Sequence, residues 1–477
     1  MPRRRPTCWI RPLVLGMSAV LLAACVTAEP AREEIRADGL KDVAVPERWT
    51  NSADTREVTG DWLHSFGDPE LEALVAAAIE HNPDLVIAAA RLEQAEAEVD
   101  MAQARLKPAL GILARGGSKP ISDLVAALSG VMLRMVWEID LWGRLRYERN
   151  AAKAMRDASG ADLHFARLSI AASVARAWFL AEETEQQQKL AERMASDAAR
   201  LTTLTDQRWR VGAGTETDVL VARTSEANYR DAAQQVALSH RQAVRALELL
   251  AGRYPASTLQ TPSELTPFPG PAPIGVPLAM LERRPDLFAA ERRVAAAFDL
   301  AGAAHAAFFP NVTISAGYGR INRRSQALEN VNRNTASGSA TMLVPLYTGG
   351  QLTGQVRLRT AEQRQALAEY TKRALQALDE VEDALNAEES LRTREDILET
   401  ATVDSRRATS LEETAYRVGS SDLRAVVQRQ LATNATEVAL LAVRRERLVR
   451  RVDLHLALGG DFAPTPAPAA GAEVGVR

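Results

Sequence analysis

Cys25 is the residue whose surroundings most clearly specify a chemical reaction. It ends the sequence Leu22-Ala23-Ala24-Cys25, which follows an arginine-rich start and a short apolar stretch. That order is typical of a secretory signal. Small residues directly before the cysteine resemble the bacterial lipobox, in which the cysteine is acylated and becomes the first residue. Ordinary cleavage beside an incidental cysteine is the alternative. The sequence predicts a signal peptide over 1–24 and a lipid on Cys25.

The residue patterns of known catalytic and metal sites do not occur in this sequence. The six histidines are scattered without HExxH spacing, and the sequence has neither a nucleophile elbow nor a phosphate-binding loop. Cys8 and Cys25 both lie near the N-terminus, which excludes a disulfide framework or a cysteine-based metal site. The pairs Glu182-Glu183 and Glu388-Glu389 are predicted to lie on solvated helix faces. We therefore predict no enzymatic activity, no cofactor and no metal.

The composition of the 477 residues favours long helices over several compact cores. Lys and Arg number 58 against 61 Asp and Glu, so the formal net charge is −3 and a basic surface for nucleic acid is not expected. Hydrophobic residues make up 46% and charged residues 25%, which excludes wholesale disorder. Aromatic residues are only 5%, while residues that suit helices, such as Ala, Arg, Glu, Leu and Gln, dominate.

Short segments recur in the same order at a nearly constant distance. Asn82-Pro83-Asp84-Leu85 and Arg284-Pro285-Asp286-Leu287 are 202 residues apart, and Arg210-Val211-Gly212 and Arg417-Val418-Gly419 are 207 apart. This period is too long for one unit of a solenoid. The mature chain is therefore predicted to contain two copies of one larger motif.

Each copy is predicted to contain a β-hairpin. Apolar residues alternate with polar ones over 109–141 and over 310–347, which is the period of a strand. A polar loop is predicted at 322–336 inside the second hairpin. In the first hairpin the polar face carries Arg134, Glu138 and Asp140.

Very long helices follow each hairpin. Between about 145 and 210 there is no proline, so one helix of some 60 residues would extend roughly 90 Å. A return helix is predicted to about 250, and the second copy repeats this hairpin over 351–458. Apolar stripes at coiled-coil spacing are interpreted as helix-packing core. Their members are Leu163, Ile170, Val174, Ala177 and Ala181, and in the last helix Leu431, Val438, Leu441, Leu448 and Val452.

The predicted organisation divides the chain into six segments. They are a signal peptide (1–24), a lipidated extended segment (25–60), the first repeat (61–254), a proline-rich linker (255–276), the second repeat (277–460) and a flexible tail (461–477).

These features resemble the outer membrane efflux protein family, in particular its NodT-like lipoprotein branch. The resemblance covers essentially the whole mature chain. It is carried by Trp62, Phe66, Asp68-Pro69 and Leu71, by Trp137-Glu138-Ile139-Asp140-Leu141-Trp142-Gly143-Arg144, by Arg283-Arg284-Pro285-Asp286-Leu287, by Phe308-Phe309-Pro310, by Pro345-Leu346-Tyr347-Thr348-Gly349-Gly350, and by Leu456-Ala457-Leu458-Gly459-Gly460.

The resemblance implies a mainly α fold with a membrane β-barrel part. Three chains would form an α-barrel and one shared twelve-stranded β-barrel. It implies an exit duct of a tripartite efflux pump, with a periplasmic adaptor and an inner-membrane RND-type transporter as partners. Val26 stands where an Asp would favour retention in the inner membrane, so a lipid-anchored outer-membrane location is expected. A periplasmic coiled-coil scaffold lipoprotein without a channel is the alternative.

The resemblance also implies where the partners bind. The turns Arg210–Thr215 and Arg417–Ser421 would contact the adaptor, although their glycines also fit plain helix caps. The adaptor-contact residues implied are Arg210, Val211, Gly212, Gly214, Thr215, Arg417, Val418, Gly419, Ser420 and Ser421.

A gate of aspartates is expected in the family near the second turn. The corresponding position here is Gln428, and Arg424 occupies an expected apolar site. Asp218 or Asp422 could take the role, although acidic residues that open a helix are more often partners of the helix dipole. Trp137 and Trp142, at the strand ends, are candidates for anchoring at the membrane interface.

We predict that Cys25→Ala still inserts into the outer membrane, because the barrel itself buries apolar strands. Carbonate washing of the membrane fraction, followed by immunoblotting, measures this directly. Complete release of the variant would mean that the hairpins never enter lipid.

Overall fold

The computed structural model describes residues 30–50, 56–58, 60–115, 128–262, 264–325 and 328–462. The predicted signal peptide, Cys25 and residues 463–477 of the predicted tail lie outside the described residues. Among the described helices, none is by itself both long and apolar enough to cross a membrane. The consecutive helices Pro69–His81 and Pro83–Ala104, bent by 44°, pass that test as a pair on length and composition.

The order of elements is duplicated. Helix α1 (Arg32–Gly39) and a 3₁₀ turn (Leu63–Phe66) come first. The first copy contains α2 (Pro69–His81), α3 (Pro83–Ala104), β1 (Ala109–Arg115), β2 (Leu128–Ile139), α4 (Arg144–Arg210) and α5 (Glu216–Leu250). The second copy contains α6 (Pro277–Arg283), α7 (Pro285–Ala306), β3 (Asn311–Ser325), β4 (Leu328–Leu343), α8 (Gln351–Arg417) and α9 (Leu423–Ala457). The predicted duplicated fold is confirmed.

The chain forms two compact units, and each takes residues from both copies. Among the described residues, the sheet unit takes those within 1–44, 89–161 and 287–373, and the helical unit takes those within 45–88, 162–286 and 374–477. Helices α4 and α8, each of 67 residues, contribute to both units. The duplication therefore describes the order of elements along the chain, whereas each compact unit is assembled from both copies.

Within the sheet unit the four strands form one antiparallel sheet in the order β1-β2-β3-β4. The predicted polar loop at 322–336 is wrong, because β3 continues to Ser325, β4 begins at Leu328, and Asn322 pairs with Asn332. Backbone groups make the ladder bonds, so polar side chains do not stop a strand.

The expected extended segment at 25–60 contains a helix. Glu33 and Glu34 lie in the first turn of α1, where carboxylates favour helix formation. Ile35 is buried in the sheet unit, and the Arg32 Nε atom donates to the buried Glu291 carboxylate at 2.6 Å. Burial and this ion pair together explain why the segment is not extended.

The first residues of the repeated motif use their side chains in the same way. The Asn82 side chain donates to the Leu250 carbonyl at 2.9 Å, and the Arg284 guanidinium donates to the Ala457 carbonyl at 3.0 Å. Leu250 and Ala457 are the last residues of α5 and α9, where backbone carbonyls lack helical partners. The residue directly before the second helix of each copy therefore caps the end of that copy's last helix.

The core of the helical unit is built on α4. Trp178 and Phe179 are almost fully buried, and Phe66 contacts Phe179 with ring centroids 5.3 Å apart. Among the predicted stripe residues, Val174, Ala181, Leu448 and Val452 are buried. Leu431 and Val438 are 55% and 40% exposed in the single chain. The prediction that these two residues belong to its core is therefore wrong.

The prediction that Glu182-Glu183 lies on a solvated face is also wrong. Glu183 is buried and pairs with the Arg445 guanidinium at 2.7 Å. Glu182 is 1% exposed and accepts from the backbone N–H of Thr266, in the proline-rich linker, at 3.2 Å. Of the second pair, Glu389 is exposed, whereas the Glu388 carboxylate binds Arg451. Short-range periodicity could not reveal these partners, which are distant in sequence.

Two carboxylates share the Thr266 hydroxyl, which lies 2.9 Å from Glu182 Oε1 and 3.2 Å from Asp68 Oδ2. Asp68 also caps α2 and accepts from the Trp178 indole N–H at 2.8 Å. One hydroxyl proton cannot serve both carboxylates. Burial raises the pKa of Glu182 to about 7. A protonated Glu182 donates to the Thr266 oxygen, which leaves the Thr266 proton for Asp68.

Stability is expected to fall as the pH rises from about 5 to about 7. In that range Glu182 is ionised in the unfolded chain, whose ordinary pKa is 4.5, but protonated in the folded one. The folded state then binds more protons, so raising the pH removes about 3 kcal/mol by linkage. Glu182→Gln should abolish this slope. Melting followed by circular dichroism from pH 5 to 8 measures it.

Glu192→Gln, on an exposed site of the same helix, is the matched control and should behave like the unmodified protein. Identical slopes for Glu182→Gln and the unmodified protein would contradict the assignment to Glu182.

Candidate functional site

The turn between α4 and α5 is a glycine-terminated helix end. Gly212 has a φ of +75°, and its N–H donates to the Trp209 carbonyl at 2.9 Å. The Ala213 N–H reaches back to the Arg208 carbonyl at 2.8 Å. These two bonds define a Schellman motif, in which a left-handed residue closes the last helical turn.

The turn between α8 and α9 repeats this geometry 207 residues later. Gly419 has a φ of +83° and donates to the Tyr416 carbonyl at 3.1 Å, while Ser420 donates to the Ala415 carbonyl at 2.9 Å. A Cβ atom built on Gly212 or Gly419 would meet no heavy atom within 4 Å. Glycine is therefore required by the backbone angle and not by crowding.

The acidic residues proposed for a gate are helix caps here. Thr215 and Asp218 form a capping box, with the Asp218 N–H donating to the Thr215 hydroxyl at 3.1 Å. Asp422 accepts from the Ala425 N–H at 2.8 Å. Arg424 and Gln428 are exposed on α9. The gate assignment for these four residues stays a prediction, and the caps account for both aspartates.

Arg208 joins the two turns, and the sequence alone did not indicate it. Its guanidinium donates to the Tyr416 carbonyl at 2.5 Å, lies 4.6 Å above the Tyr416 ring and donates to the Ala213 carbonyl at 3.3 Å. The Tyr416 hydroxyl lies 3.2 Å from the Thr205 hydroxyl. The sequence indicates this contact only in part. Tyr416 stands at the start of the second turn, but no sequence pattern connects it with Arg208.

The turns also present apolar side chains to solvent. Val211 is 78% and Val418 is 74% exposed, at equivalent positions directly before the two glycines. Arg210 is held by Asp206 at 2.7 Å, and the Ser421 hydroxyl donates to Glu412. The helical unit therefore brings the two predicted turns together, with one exposed valine on each.

The sheet has one apolar face and one small, polar face. On the apolar face Leu133 pairs with Ile112 and Tyr318, and all three are at least 49% exposed. On the other face Val136 pairs with Ser315, which pairs with Ser339. A continuous exposed apolar surface of this kind indicates contact with another protein or with lipid.

The junction of β2 with α4 is held by side chains of the Trp137–Arg144 segment. The Trp137 indole N–H donates to the Leu106 carbonyl at 2.9 Å, and the Trp142 indole N–H donates to the Pro310 carbonyl at 2.8 Å. Asp140 caps α4 by accepting from the Arg146 N–H at 3.0 Å. Both indoles thus have structural partners, and an additional role at the membrane interface stays a prediction.

A model of the outer membrane efflux protein family matches residues 74–253 and 276–460. The chain belongs to this family. The predicted family, and with it the function as an outer-membrane channel component of an efflux system, is confirmed. Members of the outer membrane efflux protein family act in the outer membrane, so the predicted outer-membrane location is also confirmed, whereas the lipid anchor on Cys25 stays a prediction.

Individual relatives cover nearly the whole chain. Outer membrane protein OprJ of Pseudomonas aeruginosa is 29% identical over 476 residues, which are 95% of this chain and 97% of OprJ. The probable efflux pump outer membrane protein TtgC of Pseudomonas putida is 28% identical over 427 residues, 87% of each protein. The structure of the outer-membrane channel OprN superposes with a TM-score of 0.80 at 24% identity, covering 92% of this chain and 99% of OprN. TtgC is named as a probable efflux pump protein and OprN as a channel, and the predicted lack of enzymatic activity of this chain stays a prediction.

Proposed function

We propose that three copies of this chain form a passive exit duct for drugs or other small molecules. The supporting observation is that the sheet has both an exposed apolar face and two edge strands with an unpaired side. The sheet order leaves β1 and β4 each with a neighbour on one side only among the described residues. In a bilayer the N–H and C=O groups of such edges have no water to bind.

The number of copies follows from closing the sheet. The smallest membrane barrels have about eight strands, so four strands cannot close alone. An eight-stranded barrel from two chains is about filled by its own side chains. Three chains supply twelve strands, with β4 of each chain pairing with β1 of the next, and leave room for a passage.

The two turns of the helical unit are the proposed contacts for a periplasmic adaptor. Val211 and Val418 are exposed apolar side chains on turns whose backbone is fixed by Schellman motifs. Apolar residues on a rigid support suit a specific protein contact. An inner-membrane RND-type transporter would load the duct through that adaptor, and an acylated Cys25 would add a lipid anchor to the barrel.

The light-scattering mass of the detergent-extracted protein, with detergent subtracted, should equal three chains. Each chain contributes less than the full 51.8 kDa because the signal peptide is removed. A monomer that also leaves the membrane when Cys25 is replaced would favour the scaffold lipoprotein without a channel.

Val211→Asp combined with Val418→Asp should abolish efflux while leaving the trimer in the outer membrane. A charge on each turn would have to lose water in the adaptor contact, which is unfavourable without a partner. Drug susceptibility of cells that depend on this channel, together with outer-membrane fractionation, measures both parts. Val86→Asp, at a valine of α3 that is 64% exposed, is the matched control. Full efflux by the double variant would exclude these valines from the contact.

A further inference from the structure

Arg134 lies in the middle of β2 on the small, polar face of the sheet. It pairs with Gly111 of β1 and with Gly317 of β3, and Gly317 pairs with Ser337 of β4. The row across the sheet at this level is therefore glycine, arginine, glycine and serine. Arg134 is the largest group in this row. Along its own strand Met132 and Val136 share its face, and the Met132 sulfur lies where a side chain on Gly317 would be.

The apolar face of the sheet cannot line the passage if the sheet lies in lipid. Next to Arg134, Leu133 and Met135 fall on the apolar face, where they pair with Tyr318 and Ala316. The face that carries Arg134 is consequently the inner face of the proposed barrel.

Among the described residues, no ion-pair partner neutralises the charge of Arg134. Within 109–114, 130–139, 311–320 and 335–343, the charged residues that share its face are limited to Arg134 and Glu138. Glu138 is bound by the Arg144 guanidinium at 2.6 Å. Arg134 itself makes no hydrogen bond or ion pair with the described residues, and it is exposed.

The guanidinium also stands clear of the neighbouring strand. A Cβ atom built on Gly111, directly across the ladder, would meet no heavy atom within 4 Å. Arg134 therefore does not lie flat on β1 as packing material. Its exposed side chain is therefore free to contact a solute.

We propose that Arg134 forms an electropositive ring in the barrel that favours the passage of organic anions, such as carboxylates and sulfonates, over cations. This inference rests on the proposed trimer, in which each chain places one arginine at the same level of the lumen. Low-dielectric walls concentrate the field of such a ring, and guanidinium binds carboxylate with two parallel hydrogen bonds.

The test measures the field at a reporter thiol and does not require an open gate. Ser337→Cys places the thiol in the same row as Arg134, where water-soluble reagents enter from the cell exterior. Reaction rates are compared for an anionic sulfonatoethyl and a cationic trimethylammonioethyl methanethiosulfonate of similar size. The protein without Ser337→Cys gives the background.

At low salt, adding Arg134→Gln to the reporter should lower the anion-to-cation rate ratio about fivefold, because the ring attracts the anionic reagent and repels the cationic one. At about 1 M salt the difference should vanish, because screening then acts within about 3 Å. Arg134→Lys keeps the charge and should keep the ratio. Arg320→Gln removes one charge from the opposite face, where Arg320 pairs with Val131, and should leave the ratio unchanged.

Two outcomes would overturn the proposal, and they differ from each other. A reactive Ser337→Cys whose rate ratio ignores Arg134→Gln would exclude the ring and leave the trimeric barrel standing. A thiol at Ser337 that reacts no faster than one at the lipid-facing position, Leu133→Cys, would overturn the barrel and the ring together. Light scattering of each variant establishes that the compared proteins have the same assembly.

Discussion

Unpaired backbone groups at the edges of the sheet constrain the rest of this protein. A strand in hydrocarbon must have both of its edges bonded, and β1 and β4 each lack one neighbour among the described residues. The chain supplies four strands, so the missing partners must come from other copies. In the closed barrel the apolar face of the sheet is in contact with lipid. The function in the outer membrane consequently belongs to an assembly and not to one folded chain.

The helix ends obey the same requirement in water, and the two copies of the motif meet it with different residues. Asn82 and Arg284 occupy matching positions, and each donates to the last carbonyl of its own return helix. Arg284 additionally holds Asp286 at 2.9 Å and Glu380 at 2.6 Å. The first copy uses a neutral amide, which needs no counter-charge. Divergence between the copies has therefore preserved the hydrogen bond while changing its electrostatics.

Most of the architecture could be predicted because it depends on local patterns. Proline and glycine positions marked the helix ends, and alternation of period two marked both hairpins. The polar loop at 322–336 was predicted wrongly, because alternation reports side-chain environment whereas strand pairing depends on backbone bonds. The burial of Glu182 was likewise missed. Its partner Thr266 lies 84 residues away in the linker, and no periodic signal connects the two.

The predicted turns illustrate the same limit within the candidate site. Gly212 and Gly419 were recognisable from sequence because a left-handed helix end favours glycine. Arg208 was not, because its role depends on α4 and α8 meeting so that the guanidinium covers Tyr416. Contacts across helices are set by packing, which a single sequence does not encode at fixed spacing.

The environments of the arginines separate structural from functional charge. Arg451 is 2% exposed. Its guanidinium binds Glu388, lies over the Phe268 ring at 4.6 Å from the ring centroid, and donates to the Gly270 carbonyl. A buried charge is tolerated only with such partners, because they offset the free-energy cost of removing the charged group from water. Arg134 has none of them among the described residues, and its partner on each neighbouring strand is a glycine. Packing and ion pairing therefore give no reason for a charge at this position, so the reason lies in what passes over that face of the sheet.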